Sequence, residues 1–494
     1  MLRNLNDYES MLATSTCNVA LRLKIPIHAE SSSSSPADEA TRVHSLVEAY
    51  LRQAWSRCVS ERTLLQVRLV KRVDENCVGP LGQRYGLSPV EEDAMDKLFT
   101  VDLRECKRRL DMVKELQAMG TTALDISKGT YVVVCHVEKP EADADKALVT
   151  IFLSLCHALS DGPGALRIAR SFLVHLGDII DGKEEENTSS SGSPQPLTDL
   201  QALLIGKDYK NRLLRGSSEK PNALFDGMDD ILAALISTSS TQPTVNGMAL
   251  LPPEATQILP TDPGFGGPSV IDVMHFSITA EETESLRRNC RDHGATVQGA
   301  LTAAALVSRV KLLDLPLPVY AAVQVPVDTR SLPMEAPPID LGDTCLCGSA
   351  GVWHTAEVLE GKSLFALARR STELVRRELT TGAQPKEWLY RLMNDPTTLP
   401  PYSLMVSSIG IAPIEVLYGR VDVERVLFFG GSLRTQAPSK AQATMVHVVT
   451  FAGELNCMIN FVSPGVSRNF VEETANRMKS ALVSMARGED EEAS

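Results

Sequence analysis

LCHALSDGPGALRIARSFL, residues Leu155 to Leu173, decides how this chain is read. An apolar segment, Ala147 to Cys156 (ALVTIFLSLC), leads into it and has the length and residue types of a buried strand. Behind it, Leu166, Ala169, Phe172, Leu173 and Leu176 recur at spacings of three and four, the stripe of an amphipathic helix over Gly164 to Gly177. The turn between strand and helix holds His157, Asp161, Gly162 and Gly164. Such turns expose polar groups on a rigid frame. An imidazole titrates near neutrality and can take a proton from a hydroxyl or amine. A carboxylate four residues on can hold the turn rigid, and glycine allows positive φ or close approach to a ligand. His-x-x-x-Asp alone arises easily by chance. The glycine after it, the strand before it and the helix behind it make it specific.

Further helices are predicted over Thr41 to Cys58, Thr296 to Leu313, Ser363 to Leu379 and Ser467 to Met485. Another runs from Thr279 to His293, opened by the capping box Thr279-x-x-Glu282 and stopped at Gly294. Strands are predicted at Tyr131 to Val137 and Val319 to Val327. Met445 to Phe451 and Leu455 to Val462 form a hairpin around Ala-Gly-Glu. Long helices with both isolated and hairpin strands indicate an α/β or α+β chain with mixed sheets. Ser31 to Ala37, Lys183 to Pro194 and Pro260 to Pro268 read as loops or linkers, and the acidic tail GEDEEAS as frayed.

Composition narrows the function classes. With 43% hydrophobic and 22% charged residues, the 494-residue chain is an ordinary globular protein able to bury a core without disulfides or metal. A formal net charge of −13 argues against nucleic acid as a main partner, because phosphate binding needs clustered Lys and Arg. The ten cysteines include no CxxC; the closest pair is Cys345 and Cys347. They read as buried reduced thiols. MLRNLNDYES lacks a signal-peptide pattern and no apolar run reaches about 18 residues, so a cytoplasmic protein without a membrane span is expected. There is no GxSxG, no HExxH and no GxGxxG after a strand, so a serine hydrolase, a zincin or a dinucleotide enzyme is not indicated. Phe429-Gly430-Gly431-Ser432 lacks phosphate-loop spacing and reads as a turn. Cys156 and His157 are adjacent on an extended segment, point to opposite faces and cannot pair directly. His136 and His447 alternate with apolar neighbours and read as structural.

The segment CHALSDG resembles the HHxxxDG motif of the chloramphenicol-acetyltransferase-like superfamily, most closely its alcohol-acetyltransferase and condensation-domain-like branch. RNLNDYES looks like the N-terminal strand of such proteins, and TVQGALTAAAL (Thr296 to Leu306) like the helix opening their second half. VPVDTR (Val325 to Arg330) is similar to their v-D-x-R strand, and LMVSSIG (Leu404 to Gly410) to their S-N-x-G strand. Cys156 replaces the first His, Ser408 stands where Asn is frequent, and the DFGWG motif of the plant branch is missing.

The resemblance implies two chloramphenicol-acetyltransferase-like lobes, each a mixed β-sheet flanked by helices, with a tunnel between them. Residues 1–215 would form the lobe carrying HxxxDG, 216–268 a crossover and 269–494 the second lobe. It implies an acyltransferase in which His157 deprotonates the acceptor and Asp161 braces the turn, pairing with Arg330, while Gly162 belongs to the motif. Ser407, Ser408 or a backbone N–H near Gly162 would receive the oxyanion. Acyl-CoA is the expected cosubstrate and a small-molecule alcohol the acceptor. No metal or permanently bound cofactor is implied, and a monomer is expected. An N-acyltransferase or condensation-type enzyme using amine or carrier-bound substrates is the alternative, and a catalytically silent binding protein of the same fold a further one.

Overall fold

The computed structural model describes residues 3–4, 15–27, 36–71, 85–91, 96–104, 112–115, 124–138, 145–183, 244–245, 248–251, 270–332, 348–394, 402–432, 444–463 and 466–490. Pro260 to Pro268, Cys345, Cys347 and most of the loops at Ser31 to Ala37 and Lys183 to Pro194 lie outside them. The described residues form two compact units. One is drawn from Met1–Asp208 and Ile411–Leu433, the other from Tyr209–Gly342, Gly348–Gly410 and Arg434–Ser494.

The first unit contains β1 (Arg3–Asn4), β2 (Ser15–Pro26), β3 (Val67–Lys71), β4 (Tyr85–Pro89), β5 (Phe99–Arg104), β6 (Tyr131–Glu138) and β7 (Lys146–Cys156). To these the later segment adds β14 (Leu417–Tyr418) and β15 (Val421–Ser432). Six of them form a sheet in the order β14-β15-β2-β7-β6-β5, antiparallel except for the β5–β6 pair. Residues 411–433, read from sequence as part of the C-terminal lobe, therefore lie in the N-terminal unit. The reason is backbone pairing: β15 meets β2 from Asp422–Lys24 to Ser432–Ser15. The Phe429 to Ser432 stretch is the end of this strand, which corrects its reading as a turn. Helices α1 (Pro36–Ser60) and α2 (Gly162–Ile180) cover one face. Trp55 of α1 meets Tyr131 of β6 at a ring-centroid distance of 5.1 Å and Phe172 of α2 at 5.9 Å. Tyr131 shares a register row with Leu155 and Cys17, so Cys17, Val19, Leu21, Leu23 and Ile25 face the helices. Burying such a side chain contributes about 1.5–3 kcal/mol. Thr16, Asn18, Arg22 and, on β7, Ser154 and Thr150 occupy the opposite face and are nevertheless buried. A small antiparallel sheet, β1-β4-β3, brings Val67, Leu69 and Leu87 into one cluster with Cys156, Ala158 and Leu159.

The second unit contains an eight-stranded mixed sheet. Its strands are β8 (Thr244–Val245), β9 (Met248–Leu250), β10 (Val270–Ile278), β11 (Val319–Asp328), β12 (Ser349–Val358), β13 (Leu404–Ile411), β16 (Thr444–Phe451) and β17 (Glu454–Ser463). β11 is parallel to β9 and β13 and antiparallel to β12. Part of the crossover read at 216–268 is thus itself strand. The helices are α3 (Ala280–Asp292), α4 (Val297–Leu312), α5 (Leu364–Thr381), α6 (Ala383–Asn394) and α7 (Arg468–Ala486). The capping box at Thr279 and Glu282 is formed, and Gly294 takes φ +71°. Leu286, Leu301, Val323, Val406, Val448, Ile459 and Met478 are among the residues of the core these helices share with the sheet. α6, β2 to β5, β8 to β10, β12, β14 and β15 were not expected from sequence. The chain is mixed α/β in both units, as its pattern indicated.

Candidate active site

The site grows from the end of β7. Cys156 donates its N–H to the carbonyl of Thr130 at 2.8 Å, and His157 donates its N–H to that of Ser15 at 2.9 Å. The chain then folds back, with the N–H groups of Leu159 and Ser160 both 3.2 Å from the carbonyl of Cys156. Cys17 places its thiol 3.5 Å from the carbonyl of Ser160. Ala158, Leu159, Ser160 and Asp161 are buried, and His157 alone in this turn is half-buried. The turn thus holds its backbone from both sides while the imidazole-bearing residue keeps contact with solvent.

Asp161 is 1% exposed and forms the N-cap of α2. Its Oδ1 accepts from the Gly164 N–H at 2.8 Å, its carbonyl accepts from Ala165 at 2.8 Å, and Pro163 stands in the first helical turn. A carboxylate suits this end of a helix because the first N–H groups lack intrahelical partners and carry the positive end of the dipole. Capping is therefore one task of Asp161. Gly162 and Gly164 are buried at the start of the helix, and neither takes positive φ, one of the two uses that glycine allows here.

Arg330, Ser407, Ser408 and His447 belong to the second unit. Arg330, on a short turn after β11, donates from Nη1 to Asp328 at 2.9 Å, and its side chain is 7% exposed. Gly348 lies flat against it: a Cβ there would stand 2.9 Å from the guanidinium carbon. Ser407 and Ser408 are both half-buried on β13, but strand alternation sends them to opposite faces. Ser408 shares the side of the core residue Val406 and its Oγ accepts from the Gly410 N–H at 3.3 Å. Ser407 shares the other side with Met405, which pairs with Gln324. That face also carries His447, opposite Met458, because Val446 and Val448 point into the core. His447 is 5% exposed. His136, in the first unit, is equally buried, with Asp102 and Glu115 oxygens 3.8 and 3.7 Å from its ring nitrogens.

The six described cysteines that are free thiols are all buried. Burial pushes the Cys290 thiol up to about 12 and raises Cys135 and Cys457 further, so none of these three offers a thiolate near neutrality. Among the described residues no cluster of three or more His, Cys, Asp or Glu could hold a metal ion, and no helix is long and apolar enough to cross a membrane. Residues that the motif reading did not reach are Thr16 and Asn18 on β2 and Gly431 on β15, which frame the end of β7.

Residues 267–460 match the family model described as phthiocerol/phthiodiolone dimycocerosyl transferase C-terminus. No curated protein matches the chain in sequence. Among solved structures, polyketide synthase associated protein 5 from Mycobacterium tuberculosis is similar over 99% of this chain and 98% of its own, with a TM-score of 0.63 and 15% identity. The TRI3 trichothecene 15-O-acetyltransferase from Fusarium sporotrichioides gives 98% and 94% coverage, a TM-score of 0.63 and 12% identity. The first condensation domain of the CDA synthetase gives 99% and 98%, a TM-score of 0.64 and 13% identity. At these identities the likeness is one of fold. That fold is the one the CHALSDG segment resembles.

Proposed function

On a chain whose fold is that of the chloramphenicol-acetyltransferase-like acyltransferases and condensation domains, we propose the chemistry of an acyl-CoA-dependent O-acyltransferase with His157 as general base. One observation carries the reading. A half-buried histidine sits on a turn of otherwise buried residues, with its own N–H fixed to Ser15 and the following helix capped by Asp161. Partial exposure on a tethered backbone supports the role of a base, which needs reactants to reach a ring nitrogen held in place.

In this reading an imidazole nitrogen of His157 takes the proton of the acceptor hydroxyl. The oxygen attacks the thioester carbonyl carbon, a C–O bond forms, and the carbonyl oxygen becomes an oxyanion. Collapse breaks the C–S bond, and the leaving thiolate takes the proton from the imidazolium. The products are an ester and free thiol, with no acyl-enzyme. General-base catalysis of this kind contributes roughly 10²- to 10⁴-fold. Arg330 is proposed as a structural brace, and Ser407, on the face away from the core, is favoured over Ser408 as oxyanion donor.

The test is release of free thiol from acyl-CoA in the presence of a panel of alcohols and amines. His157→Ala should abolish release and leave the melting temperature nearly unchanged; full turnover in this variant would place the base elsewhere. The likeness to a condensation domain supports a second reading, in which the acceptor is an amine or the donor is carrier-bound. Amine acceptors in the same panel, and acyl-pantetheine on a carrier protein as donor, distinguish the two.

A further inference from the structure

His157 is placed by its backbone, and that backbone is placed by residues from both ends of the sequence. Its N–H donates to the carbonyl of Ser15, the first residue of β2. On its other side Ser15 pairs with Ser432 of β15. The next row runs Gly431, Thr16, Cys156 across the three strands. Here Asn18 leans along β2 and donates from Nδ2 to Thr16 Oγ1 at 3.0 Å and to the carbonyl of Phe429 at 3.4 Å. The two side chains fill the space over Gly431. A Cβ at that position would stand 2.6 Å from Thr16 Oγ1 and 2.9 Å from Asn18 Nδ2. Thr16 is 1% and Asn18 2% exposed, so water has little access to replace these hydrogen bonds if they are broken.

From this geometry we infer that Thr16, Asn18 and Gly431 form a clamp that positions His157. The inference rests on the reading of His157 as base. The clamp ties β15 to β2 beside the last pair before Ser15, and Ser15 fixes the His157 N–H. Its members act through the backbone and are positioning residues. Displacement of a reacting group by about 1 Å can cost on the order of 10²-fold in rate. A clamp in the row next to Ser15 is well placed to prevent it.

The test separates kcat from KM in the thiol-release assay on the full chain. Thr16→Val keeps the shape and removes the acceptor, Thr16→Ser keeps the acceptor, and Gly431→Ala drives a methyl group into both side chains. Thr16→Val and Gly431→Ala are expected to lower kcat roughly 10- to 100-fold with KM within about twofold. Thr16→Ser should recover most of kcat. Wild-type kcat in both Thr16→Val and Gly431→Ala overturns the clamp, and so does a loss confined to KM. Should Gly431→Ala fail to fold, Asn18→Ala removes atoms rather than adding them, and unchanged kcat there overturns the clamp equally. Turnover surviving His157→Ala would remove the base and the clamp together. A dead His157→Ala beside a normal Thr16→Val removes the clamp alone. Where no acyl donor in the panel is accepted, the ring NMR signals of His157 serve instead. They should shift in Thr16→Val and not in Thr16→Ser, and unshifted signals in both count against the clamp.

Discussion

Replacing Asp161 in two ways separates its geometry from its charge. The carboxylate accepts from the Gly164 N–H at 2.8 Å in a position that is 1% exposed. Asp161→Ala removes the cap and leaves that N–H buried without its partner. Loss of an N-cap costs about 0.5–2 kcal/mol. A stranded buried donor costs about 1–3 kcal/mol, a penalty that overlaps the first. The expected loss is therefore about 2 kcal/mol. Asn is as good an N-cap as Asp, so Asp161→Asn keeps the acceptor for the Gly164 N–H; if capping is the main task of this carboxylate, the cost is that of its charge at the helix N-terminus, about 1 kcal/mol. Urea unfolding of each variant should lower the midpoint without changing the slope, with Ala falling about twice as far as Asn. The turn next to His157 should loosen in the same order, so thiol release should fall further in Ala than in Asn. An Asn variant that loses about 3–5 kcal/mol, the cost of breaking a buried ion pair, would refute the reasoning. The charge would then matter more than the cap.

Thr444 is buried, and its Oγ1 has no hydrogen-bond partner among the described residues, beside a small cavity lined by Arg309, Ile459 and Met478 among others. Thr444→Val should raise stability by about 1 kcal/mol, and a lower urea midpoint would show that the hydroxyl is satisfied after all. His354 lies 3.0 Å from Ser371 Oγ, and burial lowers its pKa to about 4, with Arg370 acting in the same direction and the Thr355 carbonyl against it. Its folded value lies below its unfolded value, so its contribution is complete above about pH 6.5 and is lost as the pH falls toward 4. The unfolding midpoint should drop across that window in the wild type and drop less in His354→Gln; equal slopes would exclude His354 as the cause. A fragment ending at residue 215 lacks β15 and leaves the buried strand β2 as a sheet edge, so it should aggregate on expression. Monomeric, cooperatively folding fragment would show that β15 is dispensable.

Much of the fold was legible because it is local. Six predicted helices match within a few residues, and the structure shows why. Thr279, Thr296, Ser363 and Ser467 each cap the helix that follows, and apolar residues at helical spacing form the buried face. The strands entering and leaving the hairpin were equally plain, since apolar runs flank Gly453, which with Ala452 takes the positive φ of a tight turn. What stayed hidden has physical causes. In β15 a bulge between Val423 and Arg425 breaks the period-two pattern, and two glycines at its end imitate a turn. The alternation in β2, with Cys17, Val19, Leu21, Leu23 and Ile25 against Thr16, Asn18, Ala20, Arg22 and Lys24, is a strand signal. It is easily passed over because, Lys24 apart, the residues on both faces are buried.

The glycines show most clearly where local reading stops. At Gly162 and Gly164, inside the motif, the sequence allows positive φ or close approach to a ligand, and the structure shows helical backbone without positive φ. At Gly431 the sequence suggests a turn, and the structure shows a strand whose missing Cβ makes room for Thr16 and Asn18. Nothing near Gly431 in the sequence could reveal this, because the side chains that need the space lie more than 400 residues away. The same holds for His157. Its chemistry can be read from a handful of neighbours, but its position depends on a sheet that closes only when the chain has reached Ser432. Long-range strand pairing carries the loop-closure entropy of everything between the partners. The turn at His157 is therefore tied through Ser15 to β15, and sequence changes in β15 should reach the base as changes beside it do.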